Sequence, residues 1–458
     1  MTVPDVTATS TSHKRALARG IASRLQEAGF AAFWVGGCVR DVLLGREPED
    51  YDVATNARPE QIEARFQRTL PVGRKFGVIL VLEEGIEFQV ATFRAEADYE
   101  DGRRPSRVTF ADARADASRR DFTVNGLFYD PVRDTLHDWV GGQADLRSCL
   151  IRTIGDPLAR FGEDHLRLLR AVRLAAQLDF QIEPATLAAL RAQAEKIRLV
   201  SAERVRDELL KLFSPPHAAR GLDLLLESGL LAPVLPEVAA FVGCAQSPEF
   251  HPEGAVYEHV RAMLGLLPPD AQPSLVWGVL LHDVGKPATA TRDPASGAIH
   301  FYGHEKAGAV MARDVLERLR FPRRQIEEIV ALVRQHMQFK DVRQMRKATL
   351  RRLLMRPTFP LELALHRLDC LGSNGRLEEH DFLVAQADEL SRQPALRPPL
   401  LTGDDLLALG LEPGPALGAL LAAVRERQLQ DELRTADQAR EWVRRTLAAA
   451  PPATKPPG

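Results

Sequence analysis

The stretch FWVGGCVRDVLLGREPEDYDVAT, residues 33–55, decides how the rest of the chain is read. An apolar run meets two glycines, an Arg-Asp pair follows on a short apolar segment closed by Gly45, and two aspartates then stand one residue apart. AAFWV at 31–35 has the Val and aromatic content of a strand, and GGCVRDVLLG reads as a turn entering a short helix near 38–44. In an extended chain residues i and i+2 point the same way, so Asp50 and Asp52 project side by side. Two like charges that close repel unless a cation sits between them. Paired carboxylates suit Mg²⁺, which prefers oxygen ligands and shares its shell with substrate phosphates. Gly36 and Gly37 allow close backbone approach, the helix after them offers N–H groups to an anion, and Arg40 adds a charge-assisted contact. Each motif alone also reads as a plain turn or a solvated strand end. In this order they describe a nucleoside triphosphate held against metal ions.

Outward from this stretch, GVILVL at 77–82 and IEFQVATF at 86–93 read as further strands, with helices near 15–29 and 59–67. From about residue 157 the apolar spacing becomes helical, as in HLRLLRAVRLAAQL and AERVRDELLKLF, and strand signals nearly vanish. The predicted fold is therefore α+β for the first 150 or so residues and all-α beyond. Proline-rich breaks at 214–217, 248–254 and 391–401 are where helical subdomains are expected to meet. The polar N-terminus MTVPDVTATSTSHKR reads as a mobile tail without signal-peptide character, and PPATKPPG as a disordered end.

With 458 residues, the chain is expected to form two to four domains. No apolar run reaches membrane-spanning length, so no membrane partner is expected and a cytoplasmic location is. Cys38, Cys149, Cys244 and Cys370 form no CxxC pair, which argues against a disulfide framework or a thiolate zinc site. A net charge of −2 means that any nucleic acid is held by local basic patches.

GGCVRDVLLGREPEDYDVAT resembles the active-site signature of the bacterial-type tRNA nucleotidyltransferase and poly(A) polymerase family, within the polymerase-beta-like nucleotidyltransferases. The resemblance extends over about residues 15–445. It implies that Asp50 and Asp52 bind catalytic Mg²⁺ and that Gly36, Gly37 and Arg40 hold the triphosphate. RRDFTVNGLFYDP at 119–131 resembles the ribose-recognising motif and implicates Arg120 and Asp121. EDHLRLLRAVR at 163–173 resembles the base-selecting motif, with Asp164, Arg167, Arg170 and Arg173. Asp164 and Arg167 stand three apart on a predicted helix and share a face. A carboxylate accepts and a guanidinium donates, so this pair would match the amino donor and ring-nitrogen acceptor common to cytosine and adenine. An i,i+3 surface salt bridge is the plainer reading. Where the family commonly carries an acidic residue before TFR, this chain has Gln89, and Glu87 lies two residues earlier on the same strand face.

RAEADYEDGRRPSRVTF at 94–110 resembles the flexible loop with which family members switch toward adding A, which argues against a CC-only enzyme. The resemblance favours CCA addition to tRNA from CTP and ATP over poly(A) addition, and an A-adding enzyme stays open because the same parts would serve it. The basic segment 338–356 is the candidate for tRNA phosphates, with Lys340, Arg343, Lys347 and Arg351 at helical spacing; such a stripe is also a common solvated face.

A second constellation lies downstream. LLHDVGKP sets His282 beside Asp283, with His259 before it and His304, His336 and Asp369 after it. Imidazoles suit transition metals, carboxylates bridge them, and two such metals activate water for phosphoester hydrolysis. The order resembles the HD phosphohydrolase superfamily, which implies a transition metal at these six residues; a metal-free structural HD fold and an HD hydrolase as the main activity are the alternatives. The expected domains are 15–157 catalytic, 158–240 base-selecting and RNA-binding, 241–375 HD, and 376–450 a C-terminal tRNA-binding segment.

Overall fold

The middle of a seven-stranded sheet is where residues 33–55 come to lie. The computed structural model describes residues 6–99, 105–247, 254–392 and 398–449. They divide into two units, Met1–Ala239 with Arg318–Phe321, and Ala240–Glu317 with Pro322–Gly458.

In the first unit, helix α1 (Val6–Glu27) leads into β1 (Ala32–Val35), α2 (Gly37–Leu43) and β2 (Asp52–Thr55). Then follow α3 (Pro59–Glu63), β3 (Thr69–Gly73), β4 (Val78–Glu83), β5 (Ile86–Thr92), β6 (Arg94–Tyr99), β7 (Pro105–Phe110), α4 (Ala113–Ser118), β8 (Phe128–Asp130) and β9 (Thr135–His137). The sheet order is β3-β4-β5-β2-β1-β8-β9. Only β2 and β5 run parallel within it.

The alternation of β1 sorts the two faces. Val35 lies opposite Asp52 on β2 and Phe128 on β8, while Trp34 lies opposite Val53 and Tyr129. On the Val35 face a cluster of Val35, Ala54, Phe93, Ala117 and Phe128 excludes water. On the other face Trp34 is buried edge-on against Tyr51, and α1 packs over β1. Burying each such aromatic contributes roughly 2–3 kcal/mol. Beyond β9 come α5 (Gly142–Arg147), α6 (Pro157–Glu163) and α7 (Leu166–Leu178), and the remainder of this unit is almost entirely helical.

Two expectations change here. The polar segment expected to be a tail through Arg15 is helical from Val6, because α1 continues the same helix that packs on β1; residues 1–5 lie outside the described residues. Residues 94–99 and 105–110, expected as a flexible loop, pair as an antiparallel hairpin, which satisfies their backbone groups. Residues 100–104 between them lie outside the described residues, as do 248–253, 393–397 and the PPATKPPG end.

The second unit is helical. Helices Val256–Gly265, Pro273–Leu281, Arg323–Gln335 and Phe359–Gly372 pack together, with His304–Arg318 alongside. From Ser274 on, the helix Pro273–Leu281 is wholly buried, so its end delivers His282 and Asp283 into the interior. A separate cluster built on Leu401, Leu406, Val424 and Val443 forms the C-terminal end.

Candidate active site

Gly36, at the end of β1, adopts φ +77°, a left-handed conformation that costs a glycine little. A Cβ there would lie 3.0 Å from Arg120 Nη1, so the bare backbone also makes room for that guanidinium. Gly37 then opens α2. Cys38 is buried on α2, and burial first, then the charge of Asp52, push its thiol up to about 12, which leaves it an inert core residue.

The charge of Arg120 reaches Asp52. Burial, opposed by Arg120 and reinforced by the charge of Asp50, raises the Asp52 carboxyl above its ordinary range. The two aspartates therefore lie within electrostatic reach of one another, although Asp50 precedes the strand that begins at Asp52. Asp50 is exposed, and its Oδ1 lies 2.7 Å from Lys14 Nζ on α1, which also donates to the Glu49 carbonyl. An ammonium thus neutralises the exposed member of the pair. Val53 pairs with Val90 across β2 and β5. One residue earlier on each strand, Asp52 and Gln89 share the same face, about 5 Å apart in the pairing direction. Glu87 lies about 7 Å further along β5 and is exposed.

Sequence reasoning missed the hub behind these groups. Asp116, 1% exposed, holds Arg119 at 2.7 Å and Arg120 at 3.2 Å and accepts from the Arg94 backbone N–H. Its i+3 and i+4 spacing to the two arginines was the available signal. Arg40 donates to Asp41 and to Asn125 Oδ1 at 2.9 Å. Asn125 in turn donates to Asp121, whose other oxygen takes Arg170 at 2.5 and 2.9 Å. Although burial works against it, Asp121 is held well below the usual carboxylate range by Arg170.

The residues expected to select the base are arranged differently from the expected helix face. Asp164 adopts an extended conformation in the break between α6 and α7, where its Oδ1 caps the Leu166 N–H and its Oδ2 takes Arg204 at 2.8 Å. A short polar side chain at this position competes for the backbone and starts α7 anew, so Asp164 and Arg167 do not share one continuous helix. Arg167 is buried and bonds Glu163 at 2.5 Å and the Arg160 carbonyl at 3.0 Å. Arg173 bonds Glu208 at 2.6 Å.

In the second unit, six residues predicted together converge. His259, His282 and Asp283 form one group able to hold a metal ion, and Asp283, His304 and His336 another. Asp283 joins them: Oδ2 is 3.2 Å from His282 Nε2, and Oδ1 is 3.5 Å from His304 Nε2 and 3.8 Å from His336 Nε2. Asp369 Oδ1 lies 3.1 Å from His259 Nε2. The Nδ1 atoms of His282, His304 and His336 face the carbonyls of Val279, Phe301 and Val333 at 2.9, 2.8 and 2.6 Å. Each Nδ1 therefore donates, which leaves each Nε2 a bare acceptor aimed inward. Inward lone pairs around a buried carboxylate fit divalent cations. Burial lowers the His336 pKa to about 4, so it stays neutral and able to ligate at neutral pH. Lys286 Nζ, 2.7 Å from Asp283 Oδ2, adds positive charge at this otherwise anionic point. Close backbone packing holds the helices in place: a Cβ on Gly285 would stand 2.2 Å from the His304 carbonyl oxygen.

The basic segment does not form the expected stripe. Lys340 follows a short 3₁₀ turn, Arg343 lies in a second one, and the helix begins only at Lys347. Arg351, 6% exposed, bonds Asp431 at 2.7 Å and the Leu429 carbonyl at 2.9 Å; Lys347 bonds the same Asp431. Arg343 donates to the Glu378 carbonyl and lies over Phe382. Apolar Leu350 and Leu353 draw this helix into the core, so Arg351 staples the C-terminal segment instead of facing solvent. Lys340 remains exposed.

Three family profiles match the chain: the poly A polymerase head domain over residues 32–152, the "RNA and SrmB- binding site of polymerase A" over 179–242, and the HD domain over 256–392. The A-adding tRNA nucleotidyltransferase of Deinococcus radiodurans is 36% identical over 433 residues, 91% of this chain and 96% of its own length. The chain belongs to the tRNA nucleotidyltransferase and poly(A) polymerase family. Within this nucleotidyltransferase family, the CCA-adding enzyme of Levilactobacillus brevis is 45% identical over 215 residues, 47% of this chain. That match spans 54% of the relative, so the chain covers about half the length of the CCA-adding enzymes it resembles by sequence. Among solved structures, the Bacillus stearothermophilus CCA-adding enzyme in complex with CTP superposes with a TM-score of 0.70 at 25% identity, over 94% of this chain and 98% of that one. The sheet, the helical continuation and the HD domain expected from sequence are thus present. No described helix is long and apolar enough to cross a membrane.

Proposed function

We propose that the protein adds C and A to tRNA 3′ ends without a template, using CTP and ATP, in the cytoplasm. The carrying observation is the half-buried Asp52 carboxyl beside exposed Asp50, at the glycine turn that Arg120 overlies. In the reaction, the 3′-oxygen bonds to the α-phosphorus as the bond to the β-phosphate breaks and pyrophosphate leaves. Mg²⁺ bound by Asp50 and Asp52 would supply positive charge to the attacking oxygen and the triphosphate. Gly36, Gly37, Arg40 and Arg120 take the phosphates, and Asp121, held by Arg170, orients the ribose. Asp164 and Arg167 exchange their partners Arg204 and Glu163 for the pairing edge of C or A, backed by Arg170 and Arg173.

The chain divides into a catalytic domain 15–157, a base-selecting domain 158–240, an HD domain 241–375 and a C-terminal tRNA-binding segment 376–450, with Lys340 and Arg343 reaching RNA from within the HD domain. The HD cluster holds a transition metal at His259, His282, Asp283, His304, His336 and Asp369 and hydrolyses terminal phosphoesters. A second reading, A addition alone, is favoured by the relative that matches nearly end to end, since the CCA-adding relatives match by sequence over about half their length. The test supplies CTP or ATP singly to tRNA ending at its discriminator base, at C or at CC. C incorporation on the first two supports CCA addition; extension of tRNA-CC alone selects the A-adding reading; no extension of any acceptor overturns both.

A further inference from the structure

On the sheet face opposite Asp52, a cleft of about 260 Å³ opens between α1 and the strands. It is lined by Arg15, Ala16, Arg19, Trp34, Tyr129 and Pro131. Arg15 and Arg19 are one helical turn apart and so share a face. Both are exposed, and neither forms an ion pair among the described residues. Their charges reach the Tyr129 phenol, which is itself bonded to Asp134 at 2.5 Å. The carboxylate next to this wall, Asp130, is engaged by Gln26 and Arg133. Trp34, 2% exposed, also lines the cleft, so its indole reports on what binds there. Two unpaired guanidiniums on one wall of the cleft match a phosphate group, whose oxygens accept from both.

We propose that this cleft is a second phosphate-binding site, separate from the nucleotidyl-transfer centre, which takes a phosphate of the RNA strand or of a free nucleotide. The RNA source rests on the tRNA reading above; the phosphate chemistry does not. The helix links the two places, because Lys14, next to Arg15, contacts Asp50.

The test uses the full chain and has two arms. In the first, the ¹⁵N indole resonance of Trp34, assigned with Trp34→Phe, is followed while inorganic phosphate and then AMP are added at constant ionic strength. A shift is expected in the wild type and none in the Arg15→Ala/Arg19→Ala double variant. In the second, tRNA affinity is measured against salt. The double variant is expected to lose about 1.4 from the slope of log K against log salt, two contacts at about 0.7 each, with incorporation at saturating tRNA unchanged. A response in the first arm alone assigns the cleft to free anions, and in the second alone to the RNA strand. A silent Trp34 resonance, together with equal slopes or with no tRNA binding by the wild type, overturns the proposal. Phosphate binding without RNA binding would instead remove the tRNA reading and leave this one standing.

Discussion

His304 and His336 face each other through their Nε2 atoms at 3.1 Å, and each ring is turned by a backbone carbonyl three residues upstream. Two bare nitrogens at that distance repel unless a cation or a shared proton lies between them. Purified protein is therefore expected to carry a divalent transition metal by elemental analysis. Chelation should lower the melting temperature, and readdition at 100 times Kd should return about 2.7 kcal/mol of stability. His336→Asn should abolish the metal-dependent part of the shift; an identical melt with and without metal would remove the metal reading.

Asp52→Asn and Asp50→Asn should each reduce nucleotide incorporation by at least the roughly 100- to 1,000-fold that losing one electrostatic contact to a transition state costs. Hydrolysis at the HD cluster should be unaffected. The converse is expected for Asp283→Asn, and the two activities are read side by side on the same preparations.

Gln89 shares the face of Asp52, and Glu87 is a further two residues away. Gln89→Glu should lower the Mg²⁺ concentration for half-maximal incorporation, because a carboxylate adds charge beside Asp52. Glu87→Ala should leave it within about twofold. A large loss in Glu87→Ala would show that the more distant carboxylate serves the metals.

Asp121 and Arg170 make a buried pair, and the depressed carboxyl pKa couples it to acid stability. The folded pKa lies below the unfolded value of about 3.9, so the contribution is present above about pH 4 and is lost as pH falls toward the folded value. Arg170 is 34% exposed in its side chain, which discounts the pair to about 2 kcal/mol. Thermal melts of Asp121→Asn should show lower stability at pH 7 and a flatter decline below pH 4 than the wild type.

Arg351→Ala should act on stability instead of RNA affinity. Leaving Asp431 without its buried partner is expected to cost about 2–3 kcal/mol, measured by denaturant unfolding, with an unchanged salt slope for tRNA binding. A reduced slope with normal stability would return Arg351 to the RNA surface.

The strands at 32–35, 78–83 and 86–92 were legible because Val, Ile and Phe alternate between turn residues, and the glycine turn because its composition permits little else. The HD cluster was legible because ligating residue types are sparse and their order is distinctive. The short β8 and β9 carry three residues each, too few for a period to show. Asp164 misled because helical spacing continues on both sides of it, and only the capping competition of its side chain marks the break. The basic segment misled because charge spacing does not reveal Asp431, 80 residues downstream of Arg351. Lys14 went unread for the same reason: what it does is set by Asp50, a partner brought in by the fold.

Gly285 holds no proton, charge or ligand atom, yet the carbonyl of His304 leaves it no room for even a methyl group. A mutational scan of this unit should therefore score an inert position as severely as the imidazoles, because it sets the spacing of the whole cluster. Any redesign of that cluster for another ion would have to begin with the gap between these two backbones, before any ligand is exchanged.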